Sequence, residues 1–441
     1  MVIRRFDLFI TFFLPVIFFV LGYVEYLNSD RNTQLLEYLV VPVSLIAIVY
    51  YYYKNHPAFL FTSAMPFYYY IGMCISLLLV NSSVHMIEVD QYGSPNGSVL
   101  IILSFFFYSI GISNVVFSAV IKKGARTTLP RISIKLADNF LMLVVIAIII
   151  LGFAIMIIYS GPVLKSMNRV VFWQSMEISG LSFYPTLLLQ SFYFAGYLFL
   201  SKRYNNNRNI LTNIILFSYI FLTIFVLGEK FSAFIIYLTV FCFLLPGFTN
   251  NLKLKKKTFV LLTLCFLSLL LIIVLSYLAQ GYTSDFIFAR IALQGQVLWS
   301  VINFDFPALI NHESCVFTCT GYNDISDYIS FKYLPISTYL HYHATSTKLS
   351  GFAPAAQFLT MGLLPTFILQ TLVFAMLGYL QAKTVIYNRE RNFIVGFLLF
   401  KVSFSLFLIW HAVMFTAIKG MIFTLGILLI YALVAKSKAK P

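Results

Sequence analysis

Residues 139–160 read NFLMLVVIAIIILGFAIMIIYS, a run without a single charge. As a helix rising 1.5 Å per residue it spans about 33 Å, slightly more than the hydrocarbon core of a bilayer. Comparable runs lie at roughly 8–27, 35–53, 58–81, 98–120, 181–200, 210–227, 231–247, 258–279, 361–381, 393–411 and 416–435. The sequence therefore predicts an all-α polytopic integral membrane protein with about twelve transmembrane helices. The runs are continuous rather than alternating, which excludes a transmembrane barrel.

Composition agrees. Of 441 residues, 60% are hydrophobic and only 10% charged, against about 25% charged in a soluble domain. Mean hydropathy is +0.89. A soluble globule cannot hide that much apolar surface, so water-soluble enzymes are excluded. Nucleic-acid binding is excluded too, although the net charge is +15, because the cations are not gathered into a soluble basic face. Arg4 and Arg5 precede the first run, which is too long for a signal peptide core and lacks a small-residue cleavage site. It reads as a retained first helix.

The placement of charge orients the spans. Alternation from an N-terminus on the inner face makes seven segments cytoplasmic, and they hold 21 of the 30 cations. Only Asp7, Asp138 and Glu390 oppose them, while the outer face and the spans near it carry the other twelve acids. One missed helix would invert every later loop and destroy this asymmetry. The expected topology is thus N-in and C-in.

Three regions follow. Residues 1–279 hold nine spans and a moderate outer loop at about 161–180. Residues 280–360 form a large outer loop, with an amphipathic interfacial helix expected over 285–302. Residues 361–441 hold the last three spans and a basic tail. A loop as long as 280–360 is usually functional.

The outer-face cations are the most informative residues. Lys230, in Leu227-Gly228-Glu229-Lys230, sits between two closely spaced spans, near the hydrocarbon, where an ionisable group is expensive. It reads either as functional or as a snorkelling partner of Glu229. Arg169 and Arg290 offer the planar fork that matches diphosphate oxygens. Lys401 falls within a span, and Lys419 and His411 near outer ends. His341 and His343, two apart, would share one side of an extended segment, which suits a base or a metal site, or else is ordinary polar surface. Trp173, Trp299 and Trp410 all fall on the outer side, as an aromatic belt or as stacking surfaces for sugar rings. Cys315 and Cys319 have a spacing compatible with a disulfide, and His312 beside them with a weak zinc set. Asp285, Glu313, Asp324 and Asp327 are further candidate acids or bases. The hydrophilic loops contain no DxD, Walker, HExxH or GxSxG pattern, so a soluble-type nucleotide-sugar transferase or hydrolase site is not expected; cations could stand in for a metal, and no cofactor is expected.

An outer face without nucleotide sugars needs a lipid-borne activated donor with a diphosphate leaving group. Cations at headgroup depth would stabilise the developing charge, and a base would deprotonate the acceptor hydroxyl.

In layout the chain resembles the Wzy-type O-antigen (oligosaccharide repeat unit) polymerases, a GT-C-like polymerase and ligase architecture. About twelve spans, a moderate outer loop before mid-chain and a large one after the ninth span carry the resemblance. Gly228-Glu229-Lys230 stands where that family often has a Gly-x-Arg-like turn. Arg169 to Gly180 matches an Arg-x10-Gly spacing; eleven residues after Arg290 stands Val301, so the second such motif is missing. The resemblance implies a glycosyltransferase at the periplasmic face of the bacterial inner membrane. It would join repeat units linked to undecaprenyl diphosphate, with a chain-length regulator as a further partner. Arg290, His343, His341 and Lys230 become the implied catalytic residues. Arg169, Trp173, Gly180, Trp299 and Lys419 become the implied substrate-binding set. The O-antigen ligases are the nearest rival. A flippase or other transporter is the rival of another class, for which an 80-residue outer loop has no evident use.

Overall fold

The computed structural model describes residues 5–28, 31–124, 134–165, 169–177, 179–204, 210–228, 232–249, 283–310, 325–345, 353–412 and 416–438, with Leu252, Leu271 and Leu278. It is almost wholly helical. The first helix, α1, comprises Arg5–Leu8, a π-helical stretch Phe9–Phe13 and Leu14–Asn28. There follow α2 (Arg31–Asn55), α3 (Ala64–Asn81), α4 (Ser98–Lys123), α5 (Ile134–Tyr159), α6 (Tyr184–Tyr204), α7 (Ile210–Leu222) and α8 (Ser232–Phe248). After them come α9 (Ser284–Ile310), α10 (Ile325–Tyr333), α11 (Ile336–Thr345) and α12 (Ala353–Met361). The chain closes with α13 (Leu363–Arg389), α14 (Phe393–Ala412) and α15 (Thr416–Lys438). A small antiparallel hairpin pairs His85 with Tyr92 and Met86 with Gln91.

Among the described residues, eight helices are long and apolar enough to cross a membrane: Phe6–Asn28, Ala64–Asn81, Ser98–Lys123, Asn139–Tyr159, Ile210–Leu227, Ser284–Ile310, Leu363–Arg389 and Phe393–Trp410. Ile235–Phe248 and Ile418–Ile430 are shorter apolar helices. The runs expected at 35–53 and 181–200 are helical as α2 and α6. The run at 258–279 lies outside the described residues.

Helix α4 is the central post. Gly97, in the left-handed conformation (φ 74°), precedes it, and Lys122 and Lys123 in its last turn favour the negative end of the helix dipole. Its N-terminal half is buried on nearly every side. Close approach to α1 depends on two glycines, since a Cβ on Gly97 would stand 2.0 Å from the Gly22 carbonyl oxygen. Small residues that admit a neighbouring backbone are how helices pack where lipid removes the hydrophobic drive. The Ser104 hydroxyl adds a bond to the Pro15 carbonyl at 2.7 Å.

Contacts fix the relative directions. Pro15 meets Ser104 and Thr11 meets Gly111, so α1 and α4 are antiparallel. Phe105 stacks on Phe367, Tyr108 bonds Thr371 and Gly378 abuts Ser113, so α4 and α13 are parallel. Phe192 packs on Tyr237 and Tyr197 on Phe248, making α6 and α8 parallel. At their ends α8 and α13 meet, where Arg389 Nε donates to the Pro246 carbonyl at 3.2 Å. The chain between α8 and α13 therefore returns from one end of the bundle to the other.

Two apolar cores result. One is built by α1, α2, α3, α4, α9 and α13; the other by α5, α6, α7 and α8, with Phe393 of α14.

Helix α9 covers the stretch read as an interfacial helix over 285–302 and runs on to Ile310. It is 27 residues long and largely buried, with Ala292, Val297, Leu298, Val301 and Ile302 in the first core. Its course is crosswise. Near its start the Ile291 and Ala292 carbonyls accept from Ser76, in the last turns of α3. Near its finish Phe306 packs on Tyr23 and Tyr26, in the last turns of α1. Gly22 sits against Gly97 at the start of α4, so both contacts lie at the same end of the bundle. Gln296 and Ser300 are buried, where the hairpin, α10 and α12 cover the helix, while Asp285, Arg290 and Gln294 stay exposed.

Candidate functional site

The end of the bundle crossed by α9 gathers polar side chains. Glu88, on the hairpin between α3 and α4, is buried. Its backbone N–H donates to Gln296 Oε1 of α9 at 3.3 Å, and its carboxylate accepts from Gln296 Nε2. The Tyr342 hydroxyl of α11 donates to Glu88 Oε1 at 3.0 Å. Burial, then the neighbouring carboxylate, push the Tyr342 phenol up to about 12, and the positive charge of Arg290 opposes them. Arg290 is exposed on α9, and it has no hydrogen bond or ion pair among the described residues.

On the next residue of α11, His343 places Nδ1 3.2 Å from Asp327 Oδ1 of α10. The carboxylate is mostly covered while the imidazole is half-exposed. A carboxylate that fixes one ring nitrogen leaves the other free to accept a proton. The Tyr339 ring lies 5.8 Å from the His343 ring. Below, Asp305 of α9 accepts from Lys332 Nζ and from the Tyr333 hydroxyl. Burial and that carboxylate raise the Tyr333 phenol far above its ordinary range. These bonds tie α10 to α9.

Several expectations change. His341 and His343 are not in an extended segment. Residues two apart on a helix turn about 200°, so His341 points to another side of α11. Trp299 is no stacking platform. It is 3% exposed, its indole N–H donates to the Ser94 carbonyl at 2.7 Å, and its own carbonyl accepts from Asn96. Trp410 is likewise buried, with its carbonyl accepting from Gln357.

The loop at 161–180 rests on the second core. Gly161 packs against the Phe225 carbonyl in the π-helical stretch Thr223–Leu227 that extends α7. Gly228, in the left-handed conformation, closes that stretch. Gly161 and the Gly228 turn are therefore neighbours. Arg169 opens the short helix Arg169–Ser175. Trp173 lies partly buried, edge-on to Phe172 and over Tyr184 at 6.3 Å. Gly180 is exposed, has a φ of 66° and closes a turn on the Glu177 carbonyl. A turn with positive φ accounts for glycine at that position.

Lys419 is exposed on α15 and Lys401 half-buried on α14. Lys230, His312, Glu313, Cys315, Cys319 and Asp324 lie outside the described residues, as do the side chains of Arg169 and His411. Among the described residues no three His, Cys, Asp or Glu side chains converge as a metal set would.

Sequence reasoning missed Glu88 and Gln296. The signal for Glu88 was present: an acid in Val84-His85-Met86-Ile87-Glu88-Val89, a short alternating stretch between two spans. Gln296 carries no signal of its own, since a glutamine in an apolar helix reads as filler until its partner is known.

No family model matches this chain, and neither a curated protein nor a solved structure matches it.

Proposed function

We propose that the chain is a polymerase of the Wzy type. It joins oligosaccharide repeat units carried on undecaprenyl diphosphate, at the periplasmic face of a bacterial inner membrane. The observation that carries this reading is the pairing of an exposed arginine with a carboxylate-held histidine at one end of a helical bundle. Arg290 stands beside Tyr342, and His343 follows Tyr342 on the same helix.

The roles divide by chemistry. Arg290 binds the departing diphosphate of the donor, helped by Lys230, and so stabilises charge that develops as the glycosidic bond breaks. His343, oriented by Asp327, takes the proton from the acceptor sugar hydroxyl. Arg169 holds the second carrier lipid, with Lys419 as a further contact for lipid phosphate. The acceptor hydroxyl oxygen forms the new bond, and the diphosphate leaves on its lipid. The topology proposed with it is twelve spans with both termini inside. It draws support from the basic inner loops and from the antiparallel and parallel helix pairs described above.

The test is the lipopolysaccharide of a clean deletion strain, with complementation. Core bearing a single repeat unit is the expected result. Bare core with long polymer accumulating on undecaprenyl diphosphate would make the protein a ligase. Bare core without polymer would move it to lipid flipping or an earlier step.

A further inference from the structure

Glu88 joins three elements of the outer end that the sequence keeps far apart. It is carried by the hairpin, bonded twice to Gln296 of α9 and once to Tyr342 of α11. It is 9% exposed. One carboxylate oxygen accepts from Tyr342 and the other from Gln296, so neither is poised to take a proton from an incoming sugar. A carboxylate held in this way sets distances. On one side of Tyr342 stands Arg290 of α9; one residue beyond it on α11 is His343, gripped by Asp327.

We infer that Glu88 is a positioning residue of this outer-face site. Through the Tyr342 hydroxyl it fixes α11, and with it His343, at a set spacing from Arg290 on α9. The inference rests on the reading of this end as the site of glycosyl transfer. Such spacing matters because a misplacement of about 1 Å costs on the order of a hundredfold in rate. The phenol stays protonated, and so able to donate, up to about pH 12.

The experiment uses the full-length protein in membrane vesicles with the strain's own lipid-diphosphate-linked repeat unit. Tyr342→Phe, Glu88→Ala, Glu88→Gln and the double Glu88→Ala/Tyr342→Phe are compared at equal amounts in the membrane. Tyr342→Phe deletes one oxygen, so it keeps the test available should Glu88→Ala fail to insert. Each single variant should lower kcat by roughly 10- to 100-fold with little change in KM. The double should be no worse than the singles, because both remove one link. Glu88→Gln should recover part of the loss, since its amide oxygen still accepts from the phenol. Amide exchange over 336–345 should rise in Glu88→Ala and Tyr342→Phe. Wild-type kcat in the single variants, or losses that multiply in the double, would overturn the positioning role. His343→Ala and Arg290→Ala separate the two levels. If both are inactive while Glu88→Ala and Tyr342→Phe work normally, only the positioning inference falls. If both retain full activity, the site assignment falls and this inference with it.

Discussion

His343 Nδ1 stands 3.2 Å from Asp327 Oδ1 across the turn that joins α10 to α11. The contact orients a half-exposed imidazole with a largely covered carboxylate. If His343 is the base, His343→Ala should lower polymerisation by about 10²- to 10⁴-fold. Asp327→Asn, which leaves the ring but loses its charged partner, should fall between that variant and wild type. His341→Ala should stay near wild type, because the helix turns it away. Rates of polymer formation from purified lipid-linked repeat units decide all three.

Arg290→Ala should abolish polymer above the single repeat, and Arg290→Lys should restore only part, because an ammonium cannot present a bidentate fork. Lys230→Ala should shorten or reduce polymer. If both alanine variants give normal polymer length and amount at equal expression, the diphosphate role is misplaced. Lipopolysaccharide gels of complemented deletion strains read this directly.

Gly97→Ala should destabilise the bundle by about 1–3 kcal/mol from overpacking against α1, with left-handed backbone strain added. Gly180→Ala is the control. It shares the positive φ but has open space where the Cβ would go, so only the backbone cost, about 1–2 kcal/mol, applies. Thermal unfolding in one detergent ranks them. A Gly97→Ala protein as stable as Gly180→Ala would mean that α1 yields at no cost.

Trp299→Phe should lower thermal stability, since it leaves the Ser94 carbonyl without its buried donor. It should leave saccharide affinity unchanged. A loss of substrate affinity at unchanged stability would restore the stacking role.

Tyr342 gives a pH dependence with a definite sign. Its folded value is raised to about 12, above the ordinary value of about 10. The folded state therefore holds the proton more tightly. The stabilisation is fully present below pH 10 and is lost as pH rises from about 10 to about 12. Tyr342→Phe lacks this component, so its stability should fall less steeply over that window. Parallel curves for the two proteins would contradict the partly buried donor.

Much of the helical frame was legible because it rests on composition. Uncharged runs such as 139–160 can only be helices in a bilayer, and α5 and α4 appear where they were expected. The crosswise α9 was legible as a helix but not as a buried one. Its burial depends on cover from α10 to α12, which no local pattern encodes. Arg290 and His343 were singled out by residue type, and Asp327 was one bland candidate among several. What made it a partner was the fold-back of α11 on α10. Trp299 misled because an outer-side tryptophan has the same sequence signature whether it faces sugar or a backbone carbonyl. Glu88 escaped because a carboxylate in a short loop has no meaning until a glutamine 208 positions away meets it.

The contact of Gly247 with Asn388, beside the bond from Arg389 to Pro246, lies at the end of the bundle away from Arg290 and His343. Nothing larger than a hydrogen fits at Gly247, because a Cβ there would run into the Asn388 side chain. At this end α8 and α13 are thus held as a lock holds a key, by shape first and by the Arg389 bond second, and a single methyl group is enough to force them apart.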